Sequence, residues 1–203
     1  MAVLGEKEWR DHALLIGAVT LGWNRAVHQL LRAFTHLTGV ESPLADVIFF
    51  GSQSDSAQRR MLVRVAKTVE LTDDGRDRLI ALIRRLDTAS ISRNLATHTI
   101  FGVTAYHKAT DRWGPKIVPM LDPMEGSRLK EDFEAQFRDV ENELGVIIRE
   151  LEDWLVQTPY PPRAWTGPPL PLAAAADVVR ALAQAEFDAE LSYGSRAEDD
   201  DAG

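Results

Sequence analysis

The chain has 203 residues, 45% of them hydrophobic, enough for one ordinary domain with an appendage and a buried core. It contains no cysteine, which excludes disulfides, thiolate zinc sites and a cysteine nucleophile, and suits a reducing compartment. Its net charge of −8 argues against a generic nucleic-acid coat, whose affinity comes from neutralised phosphates.

The opening "MAVLGEKEWRDH" has no basic start followed by an apolar run, so it does not read as a secretory signal. The apolar stretches are interrupted short of a membrane span, and a cytoplasmic protein with no membrane association is expected. Ile16, Trp23, Val27, Leu30, Phe34 and Leu37 then recur at helical steps, with Gly39 placed as a stop. They predict one long helix over roughly residues 7–38. "ESPLADVIFF" opens a second helix, in which Ser42 is the expected cap and Pro43 suits the first turn. "GSQSDS" interrupts or restarts it. In "AQRRMLVRVAKTVEL", Leu62, Val65 and Val69 form the stripe of a third helix.

"TDDG" supplies caps for a fourth helix, in which Leu79, Ile83 and Leu86 align and which runs on through "SRNLATH". Residues 99–126 lose that periodicity. "TIFGVTAY" and "KIVPML" around "HKATDRWGP" read equally well as a short β-hairpin, at about 99–121, or as an irregular loop. Phe133, Phe137, Val140, Leu144, Ile147, Leu151 and Leu155 predict the clearest helix, with Ser127 as its cap and Glu131 and Asp132 in its first turn. "TPYPPRAWTGPPLP" holds six of the ten prolines and can be neither helix nor central strand. The expected fold class is all-α, an up-and-down bundle of four to five long helices. A bundle domain over 1–157 is followed by a proline-rich linker or strap at 158–171, a helix at 172–192 and a disordered acidic tail at 193–203.

Charge is uneven along the chain. Residues 56–98 carry nine Lys/Arg against five Asp/Glu, and residues 122–157 carry four against eleven. The asymmetry reads either as a basic surface opposite an acidic one or as the charged faces of amphipathic helices.

Within the fourth helix, "SRNLATH" places Asn94 and His98 one turn apart on one face, with Arg93 able to curl toward them. An imidazole held by an amide beside a guanidinium is a reasonable proton-transfer group next to a phosphate clamp. The spacing alone is unspecific. With eighteen arginines and five histidines, Arg-x4-His arises by chance about 0.4 times in such a chain. The residues by themselves fit a helix-terminal histidine among exposed polar groups better than they fit a site.

The combination of "LGWNRAVHQLLRAFTHLTG", "SPLADVIFFGSQSDSAQRRML" and "RLIALIRRLDTASISRNLATH" resembles the HEPN superfamily of α-helical bundles, over roughly residues 10–155. That superfamily carries an Arg-x(4–6)-His signature with a polar residue, often Asn, after the Arg, and Arg93, Asn94 and His98 match it. The resemblance implies a metal-independent endoribonuclease of toxin or phage-defence type, acting as a homodimer whose two motifs face each other, with RNA as substrate and an antitoxin protein as partner. It implies that His98 handles the proton of the attacking 2′-hydroxyl or of the leaving oxygen, that Arg93 neutralises phosphorane charge and that Asn94 orients the histidine or the phosphate. No cofactor and no metal are implied. The chain departs from the family pattern at Thr99, where a Gly commonly follows the His, and at His28, where a glutamate is expected. The alternative is a non-catalytic bundle serving as a protein-interaction or ligand-binding module.

Arg25, His28, Arg32 and His36 recur at steps of three and four on the first helix and line either an RNA groove, a dimer seam or a plain solvated face. The first three are the candidate substrate-binding residues. His12 and His107 have no carboxylate or histidine at ligand spacing, so no metal is assigned to them. Tyr106 and Trp113 could stack on a base or pack on the bundle. Ser92 near His98, without an oriented third group, does not specify a nucleophile. The strap around Trp165 suits a proline-recognising domain or intramolecular packing.

Overall fold

The computed structural model of the protein describes residues 5–52, 54–107, 112–120 and 132–160, with backbone alone at 106–107 and 112–113. Five helices and one hairpin follow in order: α1 (Glu6–Thr38), α2 (Leu44–Phe50), α3 (Asp55–Thr68), α4 (Asp73–His98), β1 (Phe101–His107), β2 (Arg112–Pro119) and α5 (Phe133–Gln157). The protein is therefore an all-α bundle with a short antiparallel hairpin. The strap, the C-terminal helix expected at 172–192 and the acidic tail lie outside the described residues, apart from positions 158–160.

Local chemistry accounts for the helix ends. α1 stops at Gly39, whose φ of +66° is open to glycine at no steric cost and lets its N–H reach the Thr35 carbonyl at 2.9 Å. The expected cap of α2 is corrected. The Ser42 hydroxyl donates to the Asp46 carboxylate at 2.7 Å, a charge-assisted bond that competes with capping, and Pro43 takes the N-cap position with no side-chain bond. α2 is also short, at seven residues, so four of the five helices are long. "GSQSDS" restarts the helix, with Ser54 Oγ accepting from the Ala57 N–H at 3.2 Å. Thr72 does the same for the Gly75 N–H at the head of α4. α5 is capped by Asp132, whose Oδ1 accepts from the Ala135 N–H at 3.0 Å. Ser127 does not cap this helix, because α5 begins at Phe133; Ser127 and Glu131 lie outside the described residues.

The described residues fall into two compact units. One takes those up to Gln29 and from Asp77 to Val156, and the other those from Leu30 to Arg76 and from Gln157 onward. In the first unit, Val19, Trp23 and Ala26 of α1, Leu79, Ile83 and Leu86 of α4, and Phe137, Leu144, Ile147, Leu151 and Trp154 of α5 are buried. Each large apolar side chain so removed from water contributes about 1.5–3 kcal/mol. Gly22 brings α1 close to α5, since a Cβ there would stand 3.4 Å from Leu144 Cδ1. In the second unit, Leu30, Phe34 and Leu37 of α1 share a core with Phe49 of α2 and Leu62 of α3, and the Phe34 and Phe49 rings lie 5.8 Å apart. Arg76 closes that unit's α3–α4 turn, donating to the carbonyls of Ala66 (3.3 Å) and Leu71 (3.2 Å) and to Asp73 (2.8 Å).

The hairpin pairs Phe101 with Pro119, Val103 with Ile117 and Tyr106 with Trp113. Its register shifts between Thr104 and Tyr106, opposite Gly114 and Pro115. Proline has no N–H for a ladder and glycine weakens one, so the bulge falls where pairing is least supported.

Candidate functional site

Arg93, Asn94 and His98 occupy the last turns of α4, just before the chain leaves for β1. The Arg93 guanidinium carbon stands 5.2 Å from the centre of the Trp23 ring of α1, a cation–π arrangement. Its Nη1 donates to Asn94 Oδ1 at 2.9 Å. Trp23 is buried, so the guanidinium lies on a fixed aromatic plate. Asn94 Oδ1 is taken up by Arg93, and the amide therefore offers its NH2 outward as a donor. Asn94 and His98 are exposed, one turn apart on the same face of the helix. Among the described residues His98 makes no hydrogen bond or ion pair, and nothing clamps it to Arg93.

The structure thus brings Arg93, Asn94 and Trp23 into contact and leaves His98 one turn on, open to solvent. Chemically the group offers a positioned cation, an amide donor and an imidazole, the set needed to bind a phosphodiester and move a proton. Ser92 faces inward instead: its Oγ accepts from Gln136 Nε2 of α5 at 3.0 Å, which ties the motif-bearing turns to the core. Gln136 and Trp23 are supporting residues that sequence reasoning missed. Both sit on buried helix faces, and an apolar stripe does not disclose which residue of another helix will lie above it.

Of the first-helix stripe, Arg25, His28 and Arg32 are exposed. His36 does not belong to that exposed face. It is 6% exposed and its ring lies 4.1 Å from that of Tyr160, a residue too distant in sequence for helical spacing to reveal. The side chains of Tyr106, His107 and Trp113 lie outside the described residues, as does Trp165. The basic run does not stay apart from the acidic one. Arg85 of α4 donates through Nε to Glu143 (2.7 Å) and through Nη1 to Glu150 (2.6 Å) of α5. Arg59 is buried, which takes a further cation off the surface.

Among the described residues no group of three or more His, Asp or Glu is placed to hold a metal ion, and no helix is long and apolar enough to cross a membrane. Comparison of the chain with known protein families, with curated proteins and with solved structures gave no match.

Proposed function

We propose that the chain is a HEPN-like, metal-independent endoribonuclease of toxin or phage-defence type, acting in the cytoplasm as a homodimer and held in check by an antitoxin protein. The observation that carries this reading is the turn in which Arg93 lies on Trp23 and bonds Asn94, with Asn94 and His98 exposed on one face. In the reaction, the ribose 2′-oxygen attacks phosphorus as its proton passes to a general base. The P–O5′ bond breaks, and the products are a 2′,3′-cyclic phosphate and a 5′-hydroxyl. The His98 imidazole manages one of the two proton transfers. Arg93 neutralises charge building on the non-bridging oxygens, and the Asn94 NH2 orients the phosphate. Arg25, His28 and Arg32 are exposed cations or imidazoles suited to backbone phosphates.

The test is cleavage of several RNAs in EDTA. His98→Ala is expected to lower the rate by about 10²–10⁴-fold, the usual contribution of general acid–base catalysis. If the wild type cuts none of the RNAs, or the variant cuts equally well, the catalytic assignment falls.

One observation favours a second reading, a non-catalytic interaction module. Leu14 and Leu21 of α1 are 66% and 65% exposed, seven residues apart and so on one face of the helix. Expression in a bacterial host separates the two. The ribonuclease slows growth in a His98-dependent way, whereas the module does not.

A further inference from the structure

His12 lies in the second turn of α1 with 2% of its surface exposed, and neither ring nitrogen has a hydrogen-bond partner. Four aromatic rings surround it. Phe101 of β1 stands at 4.4 Å and Phe133 of α5 at 5.7 Å, both in T-shaped arrangements, with Trp9 at 6.3 Å and Phe137 at 6.4 Å. A buried donor is normally paired, so an unpartnered imidazole is at its limit even when neutral. An imidazolium would add a second N–H and a full charge to the same box.

The surroundings offer that charge little relief. From α5, Glu134 attracts it, but Glu134 also faces Arg138 at 3.7 Å. On α1, Glu8 lies one turn back, and the neighbouring Asp11 is bonded to Lys7 at 2.6 Å. From Phe101 to Ala105, β1 carries no ionisable side chain. Burial outweighs Glu134 and holds the imidazole below its ordinary pKa.

The same box is where the hairpin docks. Phe101 opens β1 three residues after His98. Two residues on, Val103 packs over Gly5 so closely that a Cβ there would stand 2.8 Å from Val103 Cγ1. We propose that His12 is an acid-operated latch on the hairpin: when its imidazole takes up a proton it leaves the aromatic box, and β1 detaches from the starts of α1 and α5. The open form binds the proton at the ordinary imidazole pKa of about 6.5, whereas the closed form binds it only at lower pH. Opening therefore increases about tenfold per pH unit as the pH falls below that value, and levels off once the closed form also protonates. The inference goes beyond the ribonuclease reading, and its readout involves no RNA.

The experiment is hydrogen exchange of the full chain from about pH 8 to about pH 5, corrected for intrinsic exchange chemistry. Amides of β1 and β2 are expected to lose protection on acidification, while those in the middle of α4 keep theirs. In His12→Phe, which fills the box with a ring that cannot ionise, hairpin protection is expected to stay independent of pH. Equal acid sensitivity in His12→Phe, or loss of α4 protection in step with the hairpin, overturns the latch. The His12 ring resonances of the wild type give a check that needs no variant. Titration below the ordinary imidazole value, in step with the loss of hairpin protection, supports the latch, and titration at about 6.5 overturns it.

Discussion

Arg85→Met tests what fastens α4 to α5. One guanidinium spans two carboxylates seven residues apart on α5, with N–O distances of 2.7 Å to Glu143 and 2.6 Å to Glu150. Buried, charge-assisted bonds of this length would be worth about 1.5–3 kcal/mol each. The three side chains are, however, 35–44% exposed, so solvent reduces each pair to about 0.2–1 kcal/mol. Both bonds are short and share one rigid donor, which places the sum near the upper end, at about 1–2 kcal/mol. Methionine keeps most of the apolar stem and removes the charge, so urea unfolding of Arg85→Met should show that loss at low salt. At 1 M salt, where screening acts within about 3 Å, most of the difference should vanish. In double-mutant cycles both Glu143→Gln and Glu150→Gln should couple to Arg85, since each carboxylate bonds the same guanidinium. A loss below about 0.3 kcal/mol, or one unchanged by salt, would refute the electrostatic account and leave stem packing as the cause.

Two further perturbations probe the units separately. Leu144→Ala, at a fully buried position facing Gly22, should cost about 3–5 kcal/mol in chemical denaturation, and a cost under about 1 kcal/mol would mean that the α1–α5 contact collapses to fill the cavity. Arg76→Met strips the donors from the Ala66 and Leu71 carbonyls and should lower stability by about 1–2 kcal/mol, with faster amide exchange at the end of α3; unchanged exchange there would refute the capping role.

Much of the helical frame was legible because apolar period and punctuation agreed. The stripe from Ile16 to Leu37 with Gly39 as its stop placed α1 within one residue of its observed start, and the run from Phe133 to Leu155 marked α5. The hairpin, read as one of two alternatives, lies inside the predicted window. What sequence missed were choices between competing partners. Ser42 bonds a carboxylate rather than a backbone N–H, and Asp132 rather than Ser127 caps α5. At the candidate site, the helical spacing of Asn94 and His98 was visible, but the Trp23 plate beneath Arg93 is a contact between distant segments. For His12 the spacing shows only the lack of metal partners, because three of the rings around it, Phe101, Phe133 and Phe137, come from elements far from it in the chain.

The bulge in the hairpin bears on whether a further strand can add to it. A two-stranded sheet ends in two open margins, each a template on which a strand from another molecule could add. Along β2, Pro115 and Pro119 offer no N–H, and the shifted register at Gly114 and Pro115 breaks the straight row of groups an incoming strand would need. Lys116 adds a charge to the same margin. That margin of the hairpin is thus blunted against strand addition and fibril growth.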